Sequence, residues 1–316
     1  MVDSRRSGGD PAAMPELPDV TVYVESLRRC LQGRRIEAME VRSPFFVRTF
    51  DPPWRDAIGR RLTGVHRLGK RIVLETEGEL FLVVHLMIAG RMRLRPVDAK
   101  TGARSTLAVL QFEPGILHLT EAGSKKRASL HVVHGEAGLT AHDPGGLDVL
   151  SSSGAAFAKA LGRRRHTLKR ALTDPSILDG IGNAYSDEIL HAARLSPLRR
   201  TDQLAPEEVE RLHKATQEVL TLWIDRTREE VGDGFPDKVT AFRKGMAVHG
   251  RYGEPCPECG APVQRIAYAD TETNYCAACQ TGGNLLADRV LSRLLKEDWP
   301  RSLEELEAKR RDPEHE

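Results

Sequence analysis

Residues 256–279 read Cys256-Pro-Glu-Cys259-Gly-Ala-Pro-Val-Gln-Arg-Ile-Ala-Tyr-Ala-Asp-Thr-Glu-Thr-Asn-Tyr-Cys276-Ala-Ala-Cys279. Two C-x-x-C knuckles separated by sixteen residues place four thiolates tetrahedrally around one Zn²⁺. Gly260 allows the tight turn after the first pair, and Val263 to Ala267 and Thr273 to Tyr275 are predicted to form a hairpin between the pairs. Four thiolates around a dication leave no open coordination position, so the metal is structural. The competing reading is two unrelated cysteine pairs or a redox disulfide. The fifth cysteine, Cys30, falls on an apolar helix face and reads as a small buried hydrophobe. An odd cysteine count in a long chain argues against a disulfide framework and fits a reducing cytosol.

Upstream of this module the pattern is helical. Phe157 to Leu172, Asn183 to Arg194 and Pro206 to Val231 each read as helices, and the turn-rich segment His142 to Gly146 precedes them. Further upstream, β-like runs cover Arg35 to Val47, Leu62 to Thr76, Leu80 to Leu94, Leu107 to Phe112 and Ile116 to Leu119. Gly, Pro and Asp separate them, which suggests an antiparallel sandwich or barrel. Val20, Val24, Leu27 and Leu31 fall at helical spacing before the first of these runs. Residues 1–13 are small and polar and read as a disordered leader or a misassigned start. Beyond Cys279, Leu285, Leu286, Val290, Leu291, Leu294 and Leu295 predict one more packing helix.

The chain has 316 residues, 40% of them hydrophobic and 29% charged, a globular balance that suits two or three domains. Leu80 to Gly90, the most apolar stretch, is interrupted by His85 and is too short to span a membrane. Residues 1–150 carry 22 basic against 18 acidic side chains, so a nucleic-acid surface has to be a local patch. Arg163-Arg164-Arg165-His166 with Lys169 and Arg170 is the best candidate.

Four stretches, in order and spacing, resemble the formamidopyrimidine-DNA glycosylase/endonuclease VIII family of base-excision repair enzymes. They are Met14-Pro-Glu-Leu-Pro-Asp-Val20, Gly69-Lys70-Arg71, Asp179-Gly-Ile-Gly-Asn-Ala-Tyr-Ser-Asp-Glu188, and Val248-His-Gly-Arg-Tyr-Gly-Glu-Pro-Cys256 leading into the cysteine module. The resemblance covers about residues 14–280. It implies an α+β multidomain chain: a leader over 1–13, a catalytic antiparallel β-sandwich over 14–147, a helix–two-turns–helix DNA-binding domain over 148–250, a four-cysteine zinc finger over 251–280 and a helical extension over 281–316. DNA would lie in the cleft between domains.

The implied activity is that of a bifunctional DNA glycosylase/AP lyase for oxidised bases. The alternatives are an endonuclease VIII-like enzyme for oxidised pyrimidines and a non-catalytic damaged-DNA-binding protein. The resemblance assigns Pro15 as nucleophile, Glu16 as the acid/base beside it, and Lys70 as proton donor and phosphate contact. An N-terminal proline is a secondary amine with pKa near ~8, able to form an iminium with C1′. A proline inside a chain is a tertiary amide without that lone pair, so either translation begins at Met14, which is then removed, or the leader is clipped, or the protein has lost glycosylase chemistry; the first is the favoured reading. Asn183, Lys169, Lys126 and Arg127 are the expected DNA contacts, Cys256, Cys259, Cys276 and Cys279 the zinc ligands. Asn183 is also a candidate helix cap, and Glu188 either faces the pocket or balances local charge. The expected partner is damaged double-stranded DNA, met by a monomer in the cytoplasm and not at a membrane.

Three positions depart from the family pattern. Thr271 stands where an arginine that contacts phosphate and assists δ-elimination is typical. Ser124-Lys-Lys-Arg-Ala128 lacks the aromatic wedge that follows the basic residues. In His85-Leu-Met-Ile-Ala-Gly90 the intercalating methionine position holds Ile88, with Met87 one place earlier. An altered wedge implies altered lesion preference.

Overall fold

The computed structural model describes residues 14–99, 104–122, 125–237, 243–268, 271–287 and 300–311. The expected leader over 1–13 lies outside these residues, as do Ser124 and, of the expected C-terminal helix, Val290, Leu291, Leu294 and Leu295. The chain packs as two compact units, one formed from 1–144 with 223–241, the other from 145–222 with 242–316.

The first unit opens with helix α1, Leu17–Leu31. Pro18 sits in its first turn, where a missing N–H costs nothing. The Glu16 N–H donates to Asp19 Oδ2 at 2.9 Å, an acidic group placed where the helix N-terminus favours it. Ten of the fifteen residues are buried, more than a single stripe, because α1 lies in the core itself.

Eight strands follow: β1 Ala38–Val41, β2 Leu62–Leu68, β3 Arg71–Thr76, β4 Leu80–His85, β5 Gly90–Arg95, β6 Thr106–Phe112, β7 Gly115–Glu121 and β8 Ser129–His134. They form two four-stranded antiparallel sheets, ordered β1-β6-β7-β5 and β2-β3-β4-β8. Met39, Met92, Leu110 and Leu117 of the first sheet and Val65, Leu74, Leu82 and Leu130 of the second share one apolar core with Val20, Tyr23 and Leu27 of α1. Burial of such side chains stabilises the unit by about 1.5–3 kcal/mol each. This is the expected sandwich.

The second sheet is apolar on its other face too. There Val73, Phe81, Val83 and Val133 pack under Leu139 of helix α2, Gly135–Thr140. Of the expected strand Arg35 to Val47 only β1 is a continuous strand, with isolated bridges at Arg35 and Val47, since Pro44 to Phe46 form a short 3₁₀ segment. Residues 223–237, inside the expected helical domain, pack in this unit: Arg228 Nη2 meets Glu25 Oε1 at 2.7 Å, and the Phe235 ring lies 5.8 Å from that of Tyr23.

In the second unit the expected helix from Phe157 to Leu172 is two helices, α3 Gly154–Leu161 and α4 Leu168–Thr173. Thr167 interrupts it, its hydroxyl accepting from the Arg170 N–H as an N-cap. Helix α5, Asn183–Ala192, follows, with Ala184 to His191 all buried. Helix α6, Pro206–Val231, runs between the expected limits. The cysteine module adds the hairpin β9 Gln264–Ala267 and β10 Glu272–Tyr275, then α7 Ala277–Thr281. Helix α8, Leu303–Arg311, belongs to the C-terminal segment. Leu285, Leu286 and Leu303 pack on Ile266, Tyr275 and Ala277, so this segment covers an apolar face of the hairpin.

Candidate active site and metal centre

Pro15 is buried and immediately precedes α1, with Glu16 only 2% exposed at the helix start. Lys70 sits in the tight turn between β2 and β3, where Gly69 takes a φ of 65° that a residue with a Cβ rarely adopts. Strand pairing places Arg71 opposite His85. Arg71 Nη1 donates to the His142 carbonyl at 3.0 Å, and the His142 and His131 rings are 4.5 Å apart. Burial pushes His85 down to about 4, with Arg71, Lys70 and His131 adding to the effect. His131 and His142 are also lowered, burial again first. Neutral histidines therefore stand beside the Arg71 and Lys70 cations.

Lys126 Nζ donates to the Glu121 carbonyl. The Glu121 carboxylate, 1% exposed, accepts from the backbone N–H groups of Arg127 at 2.9 Å and Ala128 at 3.1 Å. This buried acid fixes the expected basic contact segment. Its polar character at the end of an apolar strand is the signal that sequence reading passed over. Met87 takes a φ of 54°, a strained conformation for a side chain of its size, within the segment expected to carry the intercalating position.

In the second unit Gly182, in extended conformation, is the cap of α5, and Asn183 is its first helical residue. The candidate cap is corrected accordingly. Asn183 Nδ2 donates to the Glu272 carbonyl at 3.0 Å, so one of its two amide hydrogens is committed to β10. Lys169 is turned inward, with Nζ 2.6 Å from Asp187 Oδ1. Glu188, 6% exposed, is a buried hydrogen-bond acceptor. It accepts from the backbone N–H groups of Ala247, Val248 and His249 at 2.7, 2.9 and 2.9 Å. Arg164 and Arg165 of the basic run pair with Asp174 at 3.5 Å and Asp202 at 2.8 Å.

The sulfur atoms of Cys256, Cys259, Cys276 and Cys279 lie within 4.8 Å of one another. Cys256 Sγ is 4.0 Å from Cys279 Sγ, and Cys259 Sγ is 3.4 Å from Cys276 Sγ. A tetrahedron with Zn–S near 2.3 Å has edges of about 3.8 Å. The donor set fits one structural zinc. Burial pushes the Cys276 thiol up to about 11 and that of Cys279 higher still, so these sulfurs release protons when the ion binds. Gly260, with φ of 75°, makes the turn after the first knuckle. His191 of α5 adds a contact that the sequence did not reveal, with Nε2 3.3 Å from Cys256 Sγ. Thr271 is exposed in the hairpin turn, while Arg265 stacks 4.3 Å over the Tyr252 ring and faces Glu272 at 3.7 Å.

Three family models match in order: the formamidopyrimidine-DNA glycosylase N-terminal domain over 14–127, its H2TH domain over 146–233, and the zinc finger found in FPG and IleRS over 253–282. A formamidopyrimidine-DNA glycosylase of Heliobacterium modesticaldum is 36% identical over 283 residues, covering 84% of this chain and all of that one. An uncharacterized formamidopyrimidine-DNA glycosylase-like protein of Mycobacterium tuberculosis is 43% identical over 151 residues, 48% of this chain and 94% of that one. Among solved structures, a Lactococcus lactis FPG variant in complex with a Fapy-dG containing DNA matches with a TM-score of 0.74 and 25% identity, over 84% of this chain and 100% of that one. The L. lactis enzyme non-covalently bound to an AP-site containing DNA matches with the same score and identity, over 84% and 99%. The chain belongs to the formamidopyrimidine-DNA glycosylase family. Among the described residues no helix is long and apolar enough to cross a membrane.

Proposed function

We infer that this protein is a bifunctional DNA glycosylase/AP lyase that removes formamidopyrimidine and 8-oxoguanine-type bases from double-stranded DNA and nicks the strand. The observation that carries this reading is the full-length match to a formamidopyrimidine-DNA glycosylase, combined with a buried Pro15-Glu16 pair at the start of α1. In the chain that acts, Pro15 is the first residue. Its secondary amine attacks C1′ of the damaged nucleotide as the base leaves and gives up its N–H proton, and Glu16 delivers a proton to O4′ as the C1′–O4′ bond breaks and the sugar ring opens. The resulting iminium acidifies the C2′ protons, and loss of one expels the 3′-phosphate by β-elimination. Lys70 supplies a proton and holds a phosphate, in surroundings where neutral His85 adds no competing charge.

Lys126 and Arg127, held by Glu121, contact the DNA backbone. Asn183 offers its second amide hydrogen to a phosphate at the α5 N-terminus, where the helix dipole favours an anion. The zinc takes no part in the chemistry and organises the hairpin. The reading divides the chain into a catalytic domain over 14–147, a helical domain over 148–250 and a finger over 251–280, supported by overlap with family matches over 14–127, 146–233 and 253–282, and has the enzyme working as a monomer in the cytoplasm.

The test is a panel of duplexes carrying formamidopyrimidine, 8-oxoguanine or thymine glycol, scored separately for free base and for strand nicking. Release of the two purine products with nicking is expected. Excision of thymine glycol alone would move the assignment to the endonuclease VIII type. Binding with no released base from any duplex would leave a damaged-DNA-binding protein.

A further inference from the structure

Lys169 stands on α4 with its side chain only 13% exposed, and two of the three N–H groups of its ammonium are engaged inside the second unit. Nζ donates to the Asn183 carbonyl at 2.7 Å and to Asp187 Oδ1 at 2.6 Å. Asp187, on α5, has no exposed side-chain surface. Its second oxygen, Oδ2, lies 2.8 Å from His249 Nδ1 and accepts from the Asn274 N–H at 3.2 Å. One carboxylate thus joins α4, α5, the loop before the first knuckle and strand β10.

Neighbouring bonds run between the same segments. Asn183 Nδ2 reaches the Glu272 carbonyl, the Gly250 N–H donates to Asn274 Oδ1 at 2.8 Å, and Glu188 holds residues 247–249. An ammonium and a carboxylate this close act on a third charge as a dipole rather than as a free cation, so Lys169 adds little attraction for an incoming phosphate. Breaking a buried pair of this kind leaves an uncompensated charge and disturbs whatever the pair holds. What it holds is Asn183, against the hairpin that the zinc organises.

We propose that Lys169 and Asp187 are positioning residues for DNA binding. They set the N-terminus of α5 in register with the zinc-finger hairpin, and Lys169 does not itself neutralise a phosphate. This rests on the reading above, in which Asn183 receives a DNA phosphate. It separates two kinds of basic residue that sequence alone groups together: Lys126 and Arg127, whose charge meets the DNA, and Lys169, whose charge is spent inside the protein.

The experiment is fluorescence anisotropy of the full chain on a duplex with a tetrahydrofuran abasic analogue, repeated across a range of NaCl concentrations. Each phosphate neutralised contributes about 0.9 to the slope of log K against log salt. Lys169→Met is expected to weaken binding about tenfold at every salt concentration without changing the slope. Lys126→Met is expected to lower the slope by about 0.9. The charge-neutral double variant Lys169→Met/Asp187→Asn is expected to recover most of the lost affinity, because a neutral amide at that position needs no counter-cation and its oxygen can still accept from the Asn274 N–H. A merely destabilising role would move the urea-unfolding midpoint of the Lys169→Met variant in step with its affinity, whereas a positioning role weakens binding by protein that is still fully folded. Zinc content of one ion per chain confirms that each variant is folded.

A slope that falls by about 0.9 in Lys169→Met would overturn the proposal by making it a phosphate contact. Failure of the double variant to recover affinity would overturn the coupling. If Lys169→Met does not fold, the double variant alone decides, since its slope must then equal that of the unaltered protein. An unaltered protein without affinity for the duplex would instead refute the DNA-binding reading on which the proposal stands.

Discussion

Acidification should destabilise the first unit through His85, by an amount that can be worked out. Burial beside Arg71 and Lys70 lowers its pKa from 6.5 to about 4. The folded state therefore keeps His85 neutral at pH 5, while the unfolded chain has taken up the proton. Stability falls with pH wherever the unfolded state binds more protons, here between about 6.5 and 4. The whole shift is worth about 3 kcal/mol, and the part lost between pH 7 and pH 5 about 2 kcal/mol. Replacing the residue by Gln removes the titration and keeps a polar side chain of similar reach. Urea unfolding followed by tryptophan fluorescence reads this unit in a Trp299→Phe background, because the two remaining tryptophans, Trp54 and Trp223, both belong to it. Between pH 7 and pH 5 the unaltered protein should lose about 2 kcal/mol more than His85→Gln. Equal losses would show that His85 is solvated in the folded state and refute the placement of neutral histidine beside Lys70.

Further outcomes follow from the other sites. Cys276→Ser should lose the ion and weaken DNA binding at least ~100-fold while the near-ultraviolet circular dichroism of the sandwich persists, because a four-thiolate site organises only its own module. Unchanged affinity in a zinc-free protein would count against the role given to the hairpin. Glu188→Ala should cost the second unit about 3 kcal/mol or more in urea unfolding, since three backbone N–H groups lose a charged acceptor. A loss below about 1 kcal/mol would mean that water replaces the carboxylate. With Thr271 at the usual arginine position, strand cleavage should end on the β-elimination product, an unsaturated aldehyde at the 3′ end. A dominant 3′-phosphate on a gel would point to another residue, with Arg265 on the same hairpin the first to examine.

Much of the fold could be read from local patterns. Pro206 to Val231 announces its helix by an uninterrupted 3.6-residue period, and the cysteine spacing announces the finger with its hairpin. The errors are also local. The apolar spacing continues across Thr167, and nothing in it shows that a hydroxyl caps a new helix there. Strand β8 follows a basic segment that reads as loop, so the sequence pattern does not predict the eighth strand. At the site the cysteine quartet was legible from its spacing, whereas the other residue roles rest on the resemblance alone. What holds those residues in place was not, because Asp187 meets His249 and Asn274 across 62 and 87 positions of chain, and no short window contains both partners. The same holds for His191 against Cys256, 65 positions apart. Glu188 reads from sequence as a pocket residue or a local counter-charge and nothing there singles out Glu121, yet each is a buried acceptor that fixes a loop.

The central claim is that the Pro15 amine is the nucleophile, and borohydride trapping on abasic-site DNA tests it most directly. Acylation removes the lone pair that the reaction requires, so two chains are compared: one beginning at Pro15 after removal of Met14, and one retaining residues 1–13 uncleaved, with intact mass verifying each N-terminus. The first should form a covalent protein–DNA adduct on reduction, and the second should bind the same DNA without forming one. Equal trapping of both chains with the longer N-terminus intact would contradict the account and make an internal amine, with Lys70 the next candidate, the nucleophile.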